Sequence, residues 1–294
     1  MAARRPDGPP PPPVVQRLRI RYAKRGRLRF TSHRDVARAV ERALGRGKVP
    51  VAFSAGFSPH PKVSWMGAAP TGVASEAEYV EIGLQRACDP AAVREALDAG
   101  LPPGLDVLEV VEAAPGEGGL AERLEASAWR IELPGLSEAA AHAAVAAFVA
   151  AEQVVVQRRT KGGMRDVDVR FAVLDMTVMG DAGDRLHPIS PGTTGPYAII
   201  EAVVQHTTPA VRPDDVLTAL RQVAALELSE PHRATRLAQG RLTGRSGIVD
   251  PLEVDRSAAT IPAAAGPPED RRPQVPPSRD TEGVTRLPAS AGRP

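Results

Sequence analysis

The sequence predicts an α+β fold: two ferredoxin-like β-α-β-β-α-β sandwiches in tandem, set between disordered Pro-rich ends. Three observations carry that reading. Short alternating apolar runs interleave with helical periodicity over about residues 15–230, the rhythm occurs twice, and both ends are proline-rich with few large apolar residues. The 294 residues are 43% hydrophobic but only 3% aromatic, with 30 prolines and 26 glycines, which excludes a coiled coil, a collagen-like chain and a wholly disordered one. Residues 1–14 then form a disordered leader, 15–115 a basic α+β domain, 125–230 a second α+β domain, and 231–294 a basic arm with a disordered tail.

The first domain is read element by element. Residues 17–22 alternate strictly, a half-buried strand with Leu18, Ile20 and Tyr22 on its core face. Lys24-Arg25-Gly26 is a turn, after which Leu28 and Phe30 restore apolar contact. Ser32 caps a helix with Asp35 three residues on, and Gly45 or Gly47 ends it. Short strands follow near 51–53 and 63–65, then a strand over 78–84, a helix over 91–99 capped by Asp89, and a strand over 105–111. The second domain reads as strand 127–133, helix 137–150, strands 154–158, 167–178 and 197–205, and helix 213–224 with Pro213 at its start.

The formal net charge of +2 hides segregation. Residues 15–62 hold 13 Lys and Arg against two acids, whereas residues 71–154 hold 15 acids against four Arg. A basic block this dense in folded sequence is suited to a polyanion or an acidic protein face. Coding bias explains why 33 of the 37 basic residues are Arg, but not why they cluster where acids are missing.

The first helix concentrates that charge. At about 100° per residue, Val36, Val40, Ala43 and Leu44 share one face, and Arg34, Arg38, Arg42 and Arg46 recur on another. Such a ladder is spaced for successive anionic groups, which guanidinium forks bind bidentately; it is also what an ordinary solvated face looks like. Arg17, Arg19 and Arg21 form a second row, aimed at the opposite side of the sheet. Between the prolines of Phe53-Ser54-Ala55-Gly56-Phe57-Ser58-Pro59-His60-Pro61-Lys62, a stiff loop turned by Gly56 presents Ser54, His60 and Lys62. Its alternative role is to hold the chain against the core. His33, Asp35 and His60 are the candidate acid–base residues, and Lys24, Arg34, Arg38, Arg42, Arg46, Ser54, Gly56, His60 and Lys62 the candidate binding residues.

Other chemistry is absent from the sequence. The one cysteine, Cys88, excludes an internal disulfide and a Cys-ligated iron–sulfur cluster. No Walker loop, G-x-G-x-x-G, G-x-S-x-G or H-E-x-x-H is present, so no cofactor or metal is expected. Asp166, Asp168 and Arg170 share one face of an expected strand, a solvated or partner-contacting hairpin, and Arg233, Arg236, Arg241 and Arg245 read as an arm that orders on binding. With no apolar run long enough to span a membrane and no apolar stretch behind Arg4 and Arg5, a cytoplasmic location is the expectation.

The motifs Tyr22-x-Lys24-x-Gly26-x-x-x-Phe30-x-Ser32-His33-x-Asp35-x-x-Arg38, Pro50-x-x-Phe53-Ser54-x-Gly56-Phe57-Ser58-Pro59-His60-Pro61-Lys62 and Gly72-x-x-Ser75-x-x-Glu78-Tyr79 resemble a bacterial radical-SAM-linked domain of unknown function. The resemblance spans about residues 16–230; Arg34 and Ser58 depart from it. It implies a partner that is a cobalamin-binding radical-SAM enzyme, in some bacteria near a ribonuclease of the E/G type. A chain with one cysteine is not itself that enzyme. The leading expectation is a non-catalytic RNA-binding or substrate-presenting accessory protein; the alternatives are a docking module without RNA contact, and an acid–base enzyme using His33, Asp35 and His60.

Overall fold

The computed structural model describes residues 11–160, 162–180 and 196–260 of the protein. In its first half, strand β1 (Gln16–Lys24) leads through a 3-10 turn to helix α1 (His33–Arg46), then β2 (Val63–Met66), β3 (Ala74–Leu84), α2 (Pro90–Gly100) and β4 (Val107–Glu112). Ser32 starts α1 as the sequence requires: its hydroxyl oxygen accepts the Asp35 N–H at 3.3 Å and donates to the Asp35 carboxylate at 2.7 Å. The expected stripe is the buried one, with Val36, Val40, Ala43 and Leu44 packed on Leu18, Ile20, Tyr22, Ile82 and Leu84. The strands lie in the order β4-β1-β3-β2.

The second half runs β5 (Ala126–Pro134), α3 (Glu138–Ala150), β6 (Val155–Thr160), β7 (Gly163–Asp168), α4 (Val169–Ala172), β8 (Val173–Met179), β9 (Tyr197–Gln205), α5 (Pro213–Ala224), β10 (Arg233–Thr243), β11 (Gly247–Val249) and α6 (Glu253–Thr260). Its order is β10-β5-β9-β8, with β6 and β7 paired apart as a hairpin. Each half thus uses fourth, first, third and second strand in sequence. The halves merge because β10 pairs in parallel with β3 (Thr235 with Ala74, Arg236 with Ser75), making one mixed, mostly antiparallel nine-stranded sheet. One core of the second half gathers Ile131, Leu133, Phe148, Ile200 and Leu220. A smaller cluster of Ala77, Tyr79, Leu120 and Leu252 fills the other face of β3.

Several elements differ from expectation, each for a local reason. Residues 51–53 form isolated bridges, Val51 to Leu84 and Phe53 to Pro61, rather than a strand. The strand expected over 167–178 breaks into β7, α4 and β8, because the Asp168 carboxylate accepts the Phe171 N–H at 3.2 Å and caps a helical turn. Arg170 therefore leaves the expected strand face and donates to the Ala151 carbonyl at 3.1 Å. The stretch read as a basic arm is β10, an interior strand that joins the halves, and α6 forms where tail was expected. Residues 1–10 of the leader and 261–294 of the tail lie outside the described residues. Among the described residues, no helix is long and apolar enough to cross a membrane.

Candidate nucleic-acid interface

Two arginine rows leave the first half in opposite directions, and their fates differ. The β1 row is consumed within the molecule. Arg17 pairs with Glu81 at 3.1 Å, and Arg21 donates to the Glu76 carbonyl at 2.9 Å and meets Asp250 at 3.5 Å. Arg19 is 3% exposed, with its guanidinium on Asp255, Glu81 and the Gly118 carbonyl. Arg25, in the following turn, pairs with Glu76 and Asp106. This side of the sheet is covered by α6 and residues 113–123, so the row is no binding surface.

The α1 row stays on the outside. Arg34, Arg38, Arg42 and Arg46 are all exposed. Arg38 makes an exposed 3.7 Å pair with Asp35, a contact worth a few tenths of a kcal/mol. Arg46 donates to the Gly100 carbonyl at 3.0 Å, which leaves its charge unneutralised. Arg34 and Arg42 have no ion pair among the described residues. Arg42 and Arg46 flank a 260 Å³ notch between α1 and the end of α2.

Exposed aromatic side chains accompany these arginines. Phe57 is 71% exposed, Phe30 60% and Phe53 42%, which corrects the expectation that Phe30 returns to the core. The Arg29 guanidinium stacks over the Phe30 ring at 4.7 Å. The Trp65 ring is edge-on to both Tyr22 (6.2 Å) and His33 (5.2 Å), so the start of α1 is fixed against β2. Phe53 lies with Glu41, Leu44 and Gly45 along one flank of α1, while Arg42 and Arg46 lie along the flank that meets α2; exposed rings and exposed guanidiniums are the groups that suit unstacked bases and phosphates.

The Pro-His-Pro loop is pinned at its base. The Ser54 N–H donates to the His60 carbonyl at 2.8 Å, the Ser54 hydroxyl accepts the His60 N–H at 3.0 Å, and Lys62 N–H reaches the Ala52 carbonyl at 2.7 Å. Gly56 at φ +142° makes the turn, a conformation L side chains rarely adopt. Ser54 thus orients the loop, while His60 and Lys62 are exposed. No hydrogen bond, ion pair or ring contact joins His33, Asp35, His60 and Lys62 to one another, apart from α1's own backbone bonds: His33 meets Trp65, and Asp35 meets Ser32 and Arg38. Among the described residues no cluster of His, Cys, Asp and Glu has metal-binding geometry.

Lys24 is a correction. β1 runs on to Lys24, which takes the same inward side as Leu18, Ile20 and Tyr22 and is 3% exposed, with its ammonium on the Ala69 (3.2 Å) and Pro70 (3.1 Å) carbonyls. Burial lowers its pKa. Beside it Glu78 binds the Arg236 guanidinium and accepts the Ala69 N–H at 3.0 Å. Burial alone would raise the Glu78 pKa; Arg236 and these hydrogen bonds outweigh it and hold it below the ordinary carboxylate value. Arg236 also lies over the Trp129 ring at 5.4 Å and donates to Ser75 at 3.3 Å. Next to this cluster the Ser127 hydroxyl and His206 Nε2 are 2.8 Å apart, and His206 Nδ1 lies 2.8 Å from the Leu124 carbonyl oxygen. That carbonyl requires a proton on Nδ1, so in the neutral ring Nε2 accepts from Ser127. Sequence reading missed this seam: Glu78 and Arg236 are 158 positions apart, and Arg236 stands in a stretch that reads as a basic arm.

No curated protein matches the chain. Residues 17–213, which contain both arginine rows, the Pro-His-Pro loop and the buried Lys24 and Glu78, match a bacterial family. The chain belongs to that family, the uncharacterized proteins conserved in bacteria grouped as DUF2344.

Proposed function

We propose that the chain is a non-catalytic accessory protein that binds single-stranded RNA on the outer face of α1 and presents it to a radical-SAM enzyme. One observation carries the reading: the β1 arginines are neutralised within the molecule, whereas Arg34 and Arg42 face solvent without an acidic partner among the described residues. Coding bias would supply both rows alike and does not account for this division. Arg34, Arg38, Arg42 and Arg46 take phosphates, Phe57 and Phe53 offer faces for bases, and the pinned loop presents His60 and Lys62 to solvent. The choice of RNA and the radical-SAM partner rest on the sequence resemblance. The matching strand orders of the two halves support two ferredoxin-like sandwiches fused edge to edge as the scaffold.

The test is retention of a labelled single-stranded oligoribonucleotide by the full chain on nitrocellulose. Retention at low ionic strength that falls steeply with salt is expected. Failure to retain RNA even at low salt overturns the reading, and co-purification of a radical-SAM protein without nucleic acid would replace it with a docking role for the same arginines.

A further inference from the structure

The seam between the two halves contains a cavity of about 650 Å³, inside the range of about 300–1,000 Å³ typical of small-molecule pockets. Its position follows from strand parity. Glu78 shares its side of β3 with Val80 and Ile82, which pack on α1; Trp129 shares its side of β5 with Ile131 and Leu133, which pack with α3 and α5. Arg236 touches Glu78 and Trp129, so both helical layers lie on one face and leave a gap above the β3–β10 junction. Ser127, Trp129 and Arg236 line the gap from the sheet, with His206 and the start of α5 beside them.

One wall, the loop from Gly67 to Gly72, is held from beneath by buried polar groups. Lys24 binds its Ala69 and Pro70 carbonyls, and Glu78 accepts the Ala69 N–H. Gly67 sits at φ +53°, where an added Cβ would come within 2.6 Å of the Gln239 side-chain oxygen. Burying a lysine and a carboxylate is costly, and a packed apolar seam would be cheaper for stability alone. What the polar seam supplies is a fixed wall for an open cavity. The other end of the loop reaches the α1 region, since the Gly72 N–H donates to the Arg29 carbonyl at 2.8 Å.

The lining combines flat rings with hydrogen-bonding groups of both senses. Trp129 and His206 are planar, the exposed Arg212 can donate at the mouth, and the exposed Asp214 carboxylate, which holds His232 Nε2 at 3.0 Å with one oxygen, keeps the other to accept. The edge of a nucleobase likewise offers both donors and acceptors. We propose that this cavity receives one unpaired base of the RNA strand whose phosphates lie along α1. The proposal rests on the RNA reading above and deepens it.

Trp65 and Trp129 are the two tryptophans of the chain, so Trp65→Phe leaves Trp129 as the single reporter. Titrating that variant with a short single-stranded oligoribonucleotide should quench Trp129 emission saturably. Ala68→Phe and Ala210→Phe, at exposed rim positions, should abolish the quenching and weaken binding about tenfold with the Tm unchanged. Retained RNA with unaltered Trp129 emission, and rim variants without effect, would overturn the base site and leave the α1 reading standing. If no RNA is retained, the same titration with nucleoside monophosphates decides: quenching keeps the base site alone, and its absence ends both.

Discussion

Arg19 and Asp255, 236 positions apart, are joined by hydrogen bonds of 2.7 and 2.9 Å from one guanidinium nitrogen to both carboxylate oxygens. Asp255 also takes Arg123 at 2.9 Å and the Ala114 N–H at 2.9 Å, and is fully buried. The bond ties α6, which lies beyond the family match, to the first strand and closes one face of the sheet.

Replacing Asp255 with Ala would leave two buried guanidiniums without their shared anion. The expected cost is about 3–5 kcal/mol, read from urea unfolding as a lower midpoint. A change below about 1 kcal/mol would show that α6 does not seal this face.

His206 makes stability pH-dependent. Burial, only partly opposed by the Leu124 carbonyl, lowers its pKa below 6.5; Arg236 adds to the lowering. The outer edge of the ring meets solvent, but both nitrogens face protein. The unfolded chain therefore binds this proton more readily than the folded one. Its contribution is complete above pH 6.5 and drains as pH falls from there through the lower folded value. Unfolding free energies at pH 7.5 and 5.5 should differ less in His206→Gln than in the parent, and an NMR titration of His206 should have its midpoint below 6.5. A midpoint above 6.5 would contradict the assigned tautomer and the Ser127 bond.

Phe57 is exposed enough to be removed without disturbing the core. Phe57→Ala should leave the Tm within about a degree and weaken binding of single-stranded RNA by about 1–3 kcal/mol, the usual value of one stacked base. Unchanged affinity would remove the loop tip from the interface.

Local features of this fold were readable from sequence, and their covers were not. The Ser32 cap, the Val36–Leu44 stripe and the alternation around Leu18 and Ile20 depend on neighbours a few residues away, and all appear where expected. Arg19 alternates outward like a solvent-facing residue; its burial depends on Asp255, which no local pattern announces. Lys24 points inward by the same alternation as Leu18, Ile20 and Tyr22, but the strand's extension past Tyr22 was hidden by a stretch that reads as a turn. Tyr22, Lys24, Ser75 and Glu78 could be noted together as motif residues. Their meeting around Arg236 required β10 to enter the sheet, whereas charge alone made that stretch resemble a free arm.

The central claim is that the α1 arginines face an anion from outside the molecule. The most direct test compares the salt dependence of RNA binding in the parent with that of Arg34→Ala/Arg42→Ala. Loss of two phosphate contacts should reduce the slope of log K against log salt by about 1.4, at unchanged Tm, while Arg17→Ala leaves the slope as it was. Equal slopes in the parent and the double variant would contradict the account.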